Sequence, residues 1–95
     1  MDAAGLMQDS IHDLPLHYGY TENLNETKKP GCYVIDVNTT GALPLNSPTT
    51  YNVAMCIVFG YHSFPCQLYL VAPPLSPDKY IRWFLGGTWS SWIKF

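Results

Sequence analysis

Charged residues are scarce in this 95-residue chain: Asp, Glu, Lys and Arg make up 13% of it, about half the share of an average globular domain. The few charges are also uneven, because residues 1–36 hold six of the seven acids and residues 37–95 carry only Asp78, Lys79, Arg82 and Lys94. Such a segment cannot cover a whole protein surface with charge. We therefore expect the C-terminal part to bury surface against other copies of itself, or to present aromatic and uncharged polar groups to a partner.

The sequence also argues against a nucleic-acid partner and against a membrane-spanning helix. Five basic residues against seven acids leave no basic footprint for nucleic acid. The apolar stretch of residues 51–71 is interrupted by His62, Pro65 and Gln67, so we expect no membrane-spanning helix. The N-terminus is acidic and lacks the apolar core of a signal peptide, so none is expected.

Residues for catalysis or metal binding are also few. None of the histidines, His12, His17 and His62, has a carboxylate or cysteine at a recognisable ligand spacing, although one histidine per chain on the axis of a trimer remains an alternative. Paired-carboxylate hydrolysis is disfavoured because Asp36 and Asp78 are the only acids of the β-rich region. The chain has no glycine-rich loop for phosphate either. The sequence predicts no enzyme, no metal and no cofactor.

Three cysteines are too few for a secreted disulfide scaffold. Cys56 and Cys66 flank the turn "FGYHSFP", which permits either a cross-strand bridge or two buried thiols. Buried thiols are favoured in a reducing cytoplasm.

Residues 1–15 contain an apolar pattern with spacings of 3, 4 and 3, which is typical of a coiled-coil seam. Pro15 ends the pattern. The segment is predicted to be a short helix, either the end of a multi-stranded stalk or a frayed amphipathic helix. The seam positions are Ala4, Met7, Ile11 and Leu14.

Residues 16–95 are predicted to form a β domain. Short apolar segments alternate with turns rich in Pro and Gly, and no helical gap separates them, which is typical of an antiparallel all-β fold. We expect a small sandwich- or barrel-like domain. The predicted strands are residues 32–37, 51–59, 66–71, 80–85 and 88–95.

The last two predicted strands are joined by Gly86-Gly87, which suits a two-residue primed turn. A regular hairpin then sets Phe84 opposite Trp89 and Tyr80 opposite Ile93. In that register Trp89 and Trp92 lie on opposite faces. One tryptophan would serve the core of the chain, and the other a neighbouring subunit or a ligand.

The side chains suited to recognition are aromatic rings, which stack on sugars, and polar groups that bind hydroxyls. The alternative is that most of these aromatics belong to the core or to an interface. Within the set we favour Tyr61 and His62, in the turn of residues 60–65, since loops vary without unfolding a domain. The candidates are Asn46, Tyr51, Asn52, Tyr61, His62, Gln67, Tyr80, Arg82 and Trp83.

An ordered series of motifs runs through residues 24–95: "LNETKKPGCYVI", "GALPLNSP", "YNVAMCIVFG", "CQLYLV", "YIRWF" and "GTWSSWIKF". This series resembles the C-terminal knob domain of phage tail fibres and R-type pyocin fibres. The resemblance implies a homotrimeric all-β tip that binds a bacterial surface polysaccharide or an outer-membrane receptor and has no catalysis of its own. It also implies a place at the tip of the virion tail fibre, after assembly in the host cytoplasm. The alternative is a structural cap that registers three chains and binds no receptor.

Overall fold

The computed structural model describes residues 19–61 and 63–95, which form a small globule built on antiparallel β-structure. The prediction of an all-β fold is confirmed at this level. The predicted helix of residues 1–15 lies outside the described residues, as do His12, His17 and His62. None of the helices within the described ranges has the length and apolar character needed to cross a bilayer.

Six strands form the sheet among the described residues. Four predicted strands agree with it within two residues at each end, whereas the predicted strand of residues 88–95 is divided into two short strands. A 3₁₀ turn, Leu24–Glu26, precedes the sheet, and a four-residue helix α1, Val37–Thr40, follows the first strand. The strands are β1 Gly31–Asp36, β2 Val53–Tyr61, β3 Phe64–Val71, β4 Lys79–Leu85, β5 Thr88–Trp89 and β6 Ile93–Lys94.

The strands follow one another as a meander in the order β1-β2-β3-β4. Both β5 and β6 then pair with β4, at its C-terminal and N-terminal ends respectively. Within the described residues the strands form a single sheet. A sandwich- or barrel-like arrangement would need a second layer.

The inner face of the sheet carries the core. Side chains alternate between faces along a strand, and Ala54, Cys56 and Val58 of β2 lie beside Tyr69 and Val71 of β3 on this face, all buried. The 3₁₀ turn contributes the fully buried Leu24, and Leu43 and Trp92 pack against the same cluster. The turn and loop segments before β1 and β2 therefore cover the inner face.

The outer face of the sheet is apolar, and the residues that the structure describes leave it uncovered. Met55 is 41% exposed, and the aromatic side chains of the face are similarly accessible. Charged side chains stand only at one end of the face, where Asp36 pairs with Val53 and Lys79 with Leu70. The large exposed side chains of the face are Met55, Phe59, Tyr61, Phe64, Trp83, Leu85 and Ile93.

The C-terminal hairpin begins in the predicted register and then departs from it. Gly86 and Gly87 have φ values of 65° and 85°, as a primed turn requires, and Phe84 lies opposite Trp89. The prediction that Tyr80 faces Ile93 is wrong, because Ile93 lies opposite Ile81.

The change of register is a β-bulge beside Arg82. Ser90 binds Trp83 twice: its amide donates to the Trp83 carbonyl at 2.8 Å, and its Oγ accepts from the Trp83 amide at 3.0 Å. Between this pair and β6, Ser91 and Trp92 together oppose the single residue Arg82. An extra residue shifts the following side chains to the other face. Trp92 therefore lies on the inner face with Trp89, and not opposite to it as the regular register predicts.

The three cysteines are free thiols, all buried. Cys56 lies opposite Tyr69 on the inner face, whereas Cys66 lies opposite Phe59 on the outer face. A bridge between them is excluded by this register, since their side chains point to opposite sides of the sheet.

Candidate functional site

Arg82 lies between the two C-terminal tryptophans on the inner face. The centre of its guanidinium is 4.2 Å from the ring centroid of Trp89 and 4.3 Å from that of Trp92. Only 4% of the residue is exposed. The bulge makes this arrangement possible, because it places both indoles on the side of the sheet that carries Arg82. Cation–π contacts of this kind are strongest where water is excluded.

Gln67 ties Arg82 to the 3₁₀ turn. It lies opposite Arg82 in the β3–β4 ladder, is fully buried, and accepts from Arg82 Nε at 2.8 Å through Oε1. Its Nε2 donates to the carbonyls of Leu24 at 2.7 Å and Thr27 at 2.8 Å. Both amide N–H groups and the amide oxygen are thus engaged within the chain.

Asn25 joins the turn to the hairpin. Its backbone amide donates to the Asn23 side chain at 3.0 Å, which caps the turn. Its Oδ1 accepts from Arg82 Nη1 at 2.9 Å, and its carbonyl accepts from Trp89 Nε1 at 3.0 Å. The turn "LNE" and the strand "YIRWF", distant in sequence, therefore meet through direct hydrogen bonds.

Arg82 carries a charge that no residue of the described ranges neutralises. Its Nη2 is buried and has no hydrogen-bond partner. The one ion pair among the described residues joins Lys94 Nζ to Asp78 Oδ1 at 3.2 Å, and the hydrogen bond from Lys94 lowers the pKa of Asp78. Burial lowers the pKa of Arg82 to about 10, so Arg82 is still protonated at neutral pH.

A groove lies over this cluster, between the 3₁₀ turn and the C-terminal hairpin. Its volume is about 510 Å³, within the range of small-ligand sites. Lys28 lines it, with Nζ 4.2 Å from the ring centroid of Phe84, and Glu26 is the one acid of its wall. We call it the Arg82 groove. Its lining residues are Asn25, Glu26, Lys28, Asn46, Arg82, Phe84, Gly87, Thr88, Trp89, Ser90 and Ser91.

Three of the sequence-predicted site residues come together here. Arg82 and Asn46 line the groove, and Gln67 lies beneath it, bonded to Arg82. The Asn46 carbonyl accepts from Trp92 Nε1 at 2.9 Å. Tyr80 is on the same face, where its ring packs edge-on against Tyr69 with centroids 6.4 Å apart.

The remaining predicted residues lie elsewhere. Tyr51 and Asn52 are exposed just before β2, and Trp83 is on the outer face, 48% exposed. Tyr61 ends β2, with its ring centroid 5.8 Å from that of Phe64. It pairs with Phe64 across the turn, so the strands extend well into the loop predicted for residues 60–65. His62 falls outside the described residues.

Sequence reasoning missed most of the groove wall. Asn25, Lys28, Phe84 and Trp89 are not among the site residues that the sequence predicts. The one signal that could have found them is the tryptophan pair near an isolated arginine in a charge-poor segment. A buried cation needs planar or hydrogen-bonding neighbours, and the motifs "NETK" and "GTWSSW" supply both.

Comparison of the sequence with protein-family models and with curated proteins, and of the fold with solved structures, finds no match.

Proposed function

We propose that this chain is the receptor-binding tip of a phage tail fibre or a phage-tail-like bacteriocin. In this proposal three copies assemble into a homotrimer that attaches to a bacterial surface polysaccharide or an outer-membrane receptor. The observation that carries the assembly is the apolar outer face of the sheet, which the described residues leave uncovered. The order of the motifs along residues 24–95 supports the resemblance to tail-fibre knob domains. Four of these motifs meet in one cluster, to which they contribute Leu24, Gln67, Arg82 and Trp89.

The outer face has the size and chemistry of a permanent protein interface. Its seven large side chains are 41–62% exposed, and at roughly 200 Å² for each such side chain they present about 700 Å². That exceeds the largest apolar patch of most monomers, about 300–600 Å², and is close to the ~800 Å² that each partner contributes to a standard interface.

A second copy of the chain is the occupant that best fits this face. The face is nearly free of charge, whereas transient interfaces are no more apolar than other protein surface. Packing of copies against one another supplies the second layer that one sheet lacks. The sandwich- or barrel-like arrangement would then arise between protomers.

The proposed tip acts by binding and not by catalysis. Asp78, one of the two acids after residue 35, is engaged with Lys94. Recognition therefore depends on exposed aromatic and amide groups and on the multivalency of the trimer, which multiplies weak single-site affinities.

The test is adsorption to cells. Purified protein should bind the surface of a susceptible bacterial host and compete with the parent particle for attachment. The variant His62→Ala, which keeps Tyr61 in place on the outer face, examines the turn that follows β2: adsorption should fall while the trimer persists. Undiminished adsorption would exclude this turn as the site.

The alternative function is a trimerisation or folding cap that binds no receptor. The outer face supports a cap as strongly as it supports a receptor-binding tip, because both functions require the copies to assemble. A trimer that binds no bacterial surface, isolated glycan or outer-membrane fraction would establish the cap and reject the tip.

A further inference from the structure

We propose that the Arg82 groove binds a carboxylate-bearing sugar, such as a uronic acid unit of a surface polysaccharide. This inference deepens the proposed function and rests on it for the nature of the receptor. It rests on three features of the groove: an unsatisfied buried cation, a second cation at the rim, and a wall suited to a sugar ring.

The buried cation is Arg82. Its Nε and Nη1 are held by Gln67 and Asn25, and the ring centroids of Trp89 and Trp92 lie 4.2 Å and 4.3 Å from the centre of its guanidinium. Nη2 is left without an acceptor. An unpaired buried donor is costly, and a buried charge more so. Arg82 lines the groove, so a ligand carboxylate held there would offset a charge that none of the described residues neutralises.

The second cation is Lys28, which lies over Phe84. Unlike Arg82 it is exposed, so its ammonium group can move to meet a ligand. Glu26 lines the same groove, which leaves a net charge of about +1 from the three groups. That charge matches a single carboxylate better than the dianionic form of phosphate.

The rest of the wall suits a pyranose ring. Phe84 and Trp89 pack edge-on with centroids 5.2 Å apart and are half-buried, so apolar ring surface borders the groove. Ser91 and Glu26 provide polar groups for hydroxyls, whereas the Ser90 hydroxyl is engaged with the Trp83 amide and the Ser91 carbonyl. A sugar acid uses both parts of this wall, since its hydroxyls can donate to Glu26 while its carboxylate faces the cations.

The tryptophans provide a direct readout of binding. In ¹⁵N-labelled protein, titration with D-glucuronic acid should shift the indole N–H signal of Trp89, which borders the groove. The signal of Trp83, on the outer face, should not move. Glucose at the same concentration should leave both signals in place, and inorganic phosphate should bind at least about fivefold more weakly.

Lys28→Ala should weaken glucuronate binding about five- to tenfold. The matched control is Lys29→Ala, which removes an adjacent exposed lysine that does not line the groove, and it should change affinity less than twofold. Both variants keep the buried cluster, so loss of folding does not complicate the comparison.

Several results would overturn the proposal. Equal shifts with glucose would remove the carboxylate requirement, and equal binding of phosphate would mark a general anion site. Equal binding of an acetylated Glu-Glu dipeptide would assign the groove to acidic peptides. If glucuronate binds as described but Lys28→Ala adsorbs normally to cells, the groove stands and the receptor site lies elsewhere. If glucuronate fails while adsorption persists, the tip stands and this inference falls.

Discussion

At the scale of single residues, Gln67 connects the sheet to the segment that covers it. It is fully buried and makes three hydrogen bonds, to Leu24, Thr27 and Arg82. The sequence made Gln67 a candidate for binding hydroxyl groups. Its engagement inside the chain indicates that it holds the Arg82 groove in shape.

Replacement of Gln67 by Leu should lower the free energy of unfolding by about 4 kcal/mol, because it leaves two buried carbonyls and Arg82 Nε without partners. Gln67→Glu should also destabilise, since a carboxylate can pair with Arg82 but cannot donate to the two carbonyls. Urea unfolding measures both. Asn52→Ala, an exposed position, is the control. A loss under about 1 kcal/mol for Gln67→Leu would show that the covering segment does not depend on this residue.

Cys56 should make stability sensitive to alkaline pH. Burial raises the pKa of Cys56 to about 12 from 9.0. Between pH 9 and 10 the unfolded chain goes from about half to almost fully deprotonated at this thiol, whereas the folded chain retains the proton. Stability should therefore fall as pH rises, by up to about 1.4 kcal/mol per pH unit.

Above pH 10 other groups intervene, since burial raises the pKa of Tyr69 to about 12 and lowers that of Arg82 to about 10. Tyr69 adds to the loss, whereas Arg82 opposes it because the folded chain releases its proton first. The informative window is pH 9–10. Urea unfolding at pH 7, 9 and 10 should give a shallower decline in Cys56→Ala than in the parent. An identical slope in the two proteins would contradict the assignment.

At the scale of elements, the bulge after β5 decides the composition of both faces. A regular hairpin would direct Ile93 inward and Trp92 outward. Because Ser91 and Trp92 share the position opposite Arg82, Trp92 turns inward, where its ring centroid lies 5.8 Å from that of Tyr69. Ile93 turns outward and is 58% exposed.

The bulged register and the regular register predict opposite results for the truncation of Trp92 and of Ile93. Trp92→Ala should cost about 3 kcal/mol, because it uncovers one face of Arg82 and the edge of Tyr69. Ile93→Ala should cost less than about 1 kcal/mol. Denaturant unfolding at low protein concentration, where assembly does not contribute, measures both. A larger loss of unfolding free energy for Ile93→Ala than for Trp92→Ala would contradict the bulge and support the regular register.

At the scale of the whole molecule, the described residues cover one face of the sheet and leave the other face exposed. Met55 lies in the central strand β2 on the uncovered face. Leu75 is exposed to a similar degree, 46%, in the turn before β4. This pair allows assembly to be tested apart from folding.

Met55→Glu should dissociate the assembly into folded monomers at micromolar concentration, because burying a carboxylate in an apolar interface is costly. Leu75→Glu, the matched control, should leave the assembly intact. Light scattering gives the mass and circular dichroism the fold. An unchanged mass for Met55→Glu, or a monomeric parent protein, would show that copies do not meet on this face.

The strands were predictable from the sequence because their signals are local. Alternating apolar residues, Pro and Gly between them, and the Gly86-Gly87 turn each depend on neighbours within a few positions. The Phe84–Trp89 pair follows from the turn alone. The resemblance of the motifs likewise required only their order along the chain.

The Arg82 groove was decided by tertiary structure. Whether Gln67 and Arg82 meet a sugar or the 3₁₀ turn depends on contacts between residues 40 to 57 positions apart, which no local pattern specifies. The face of Trp92 depends on one extra residue beside β4, since a shift of one residue exchanges the two sides of a strand. The sequence by itself determined that the chain forms a charge-poor β-sheet rich in aromatic residues. Packing decided which aromatic side chains contact the arginine and which stay exposed on the outer face.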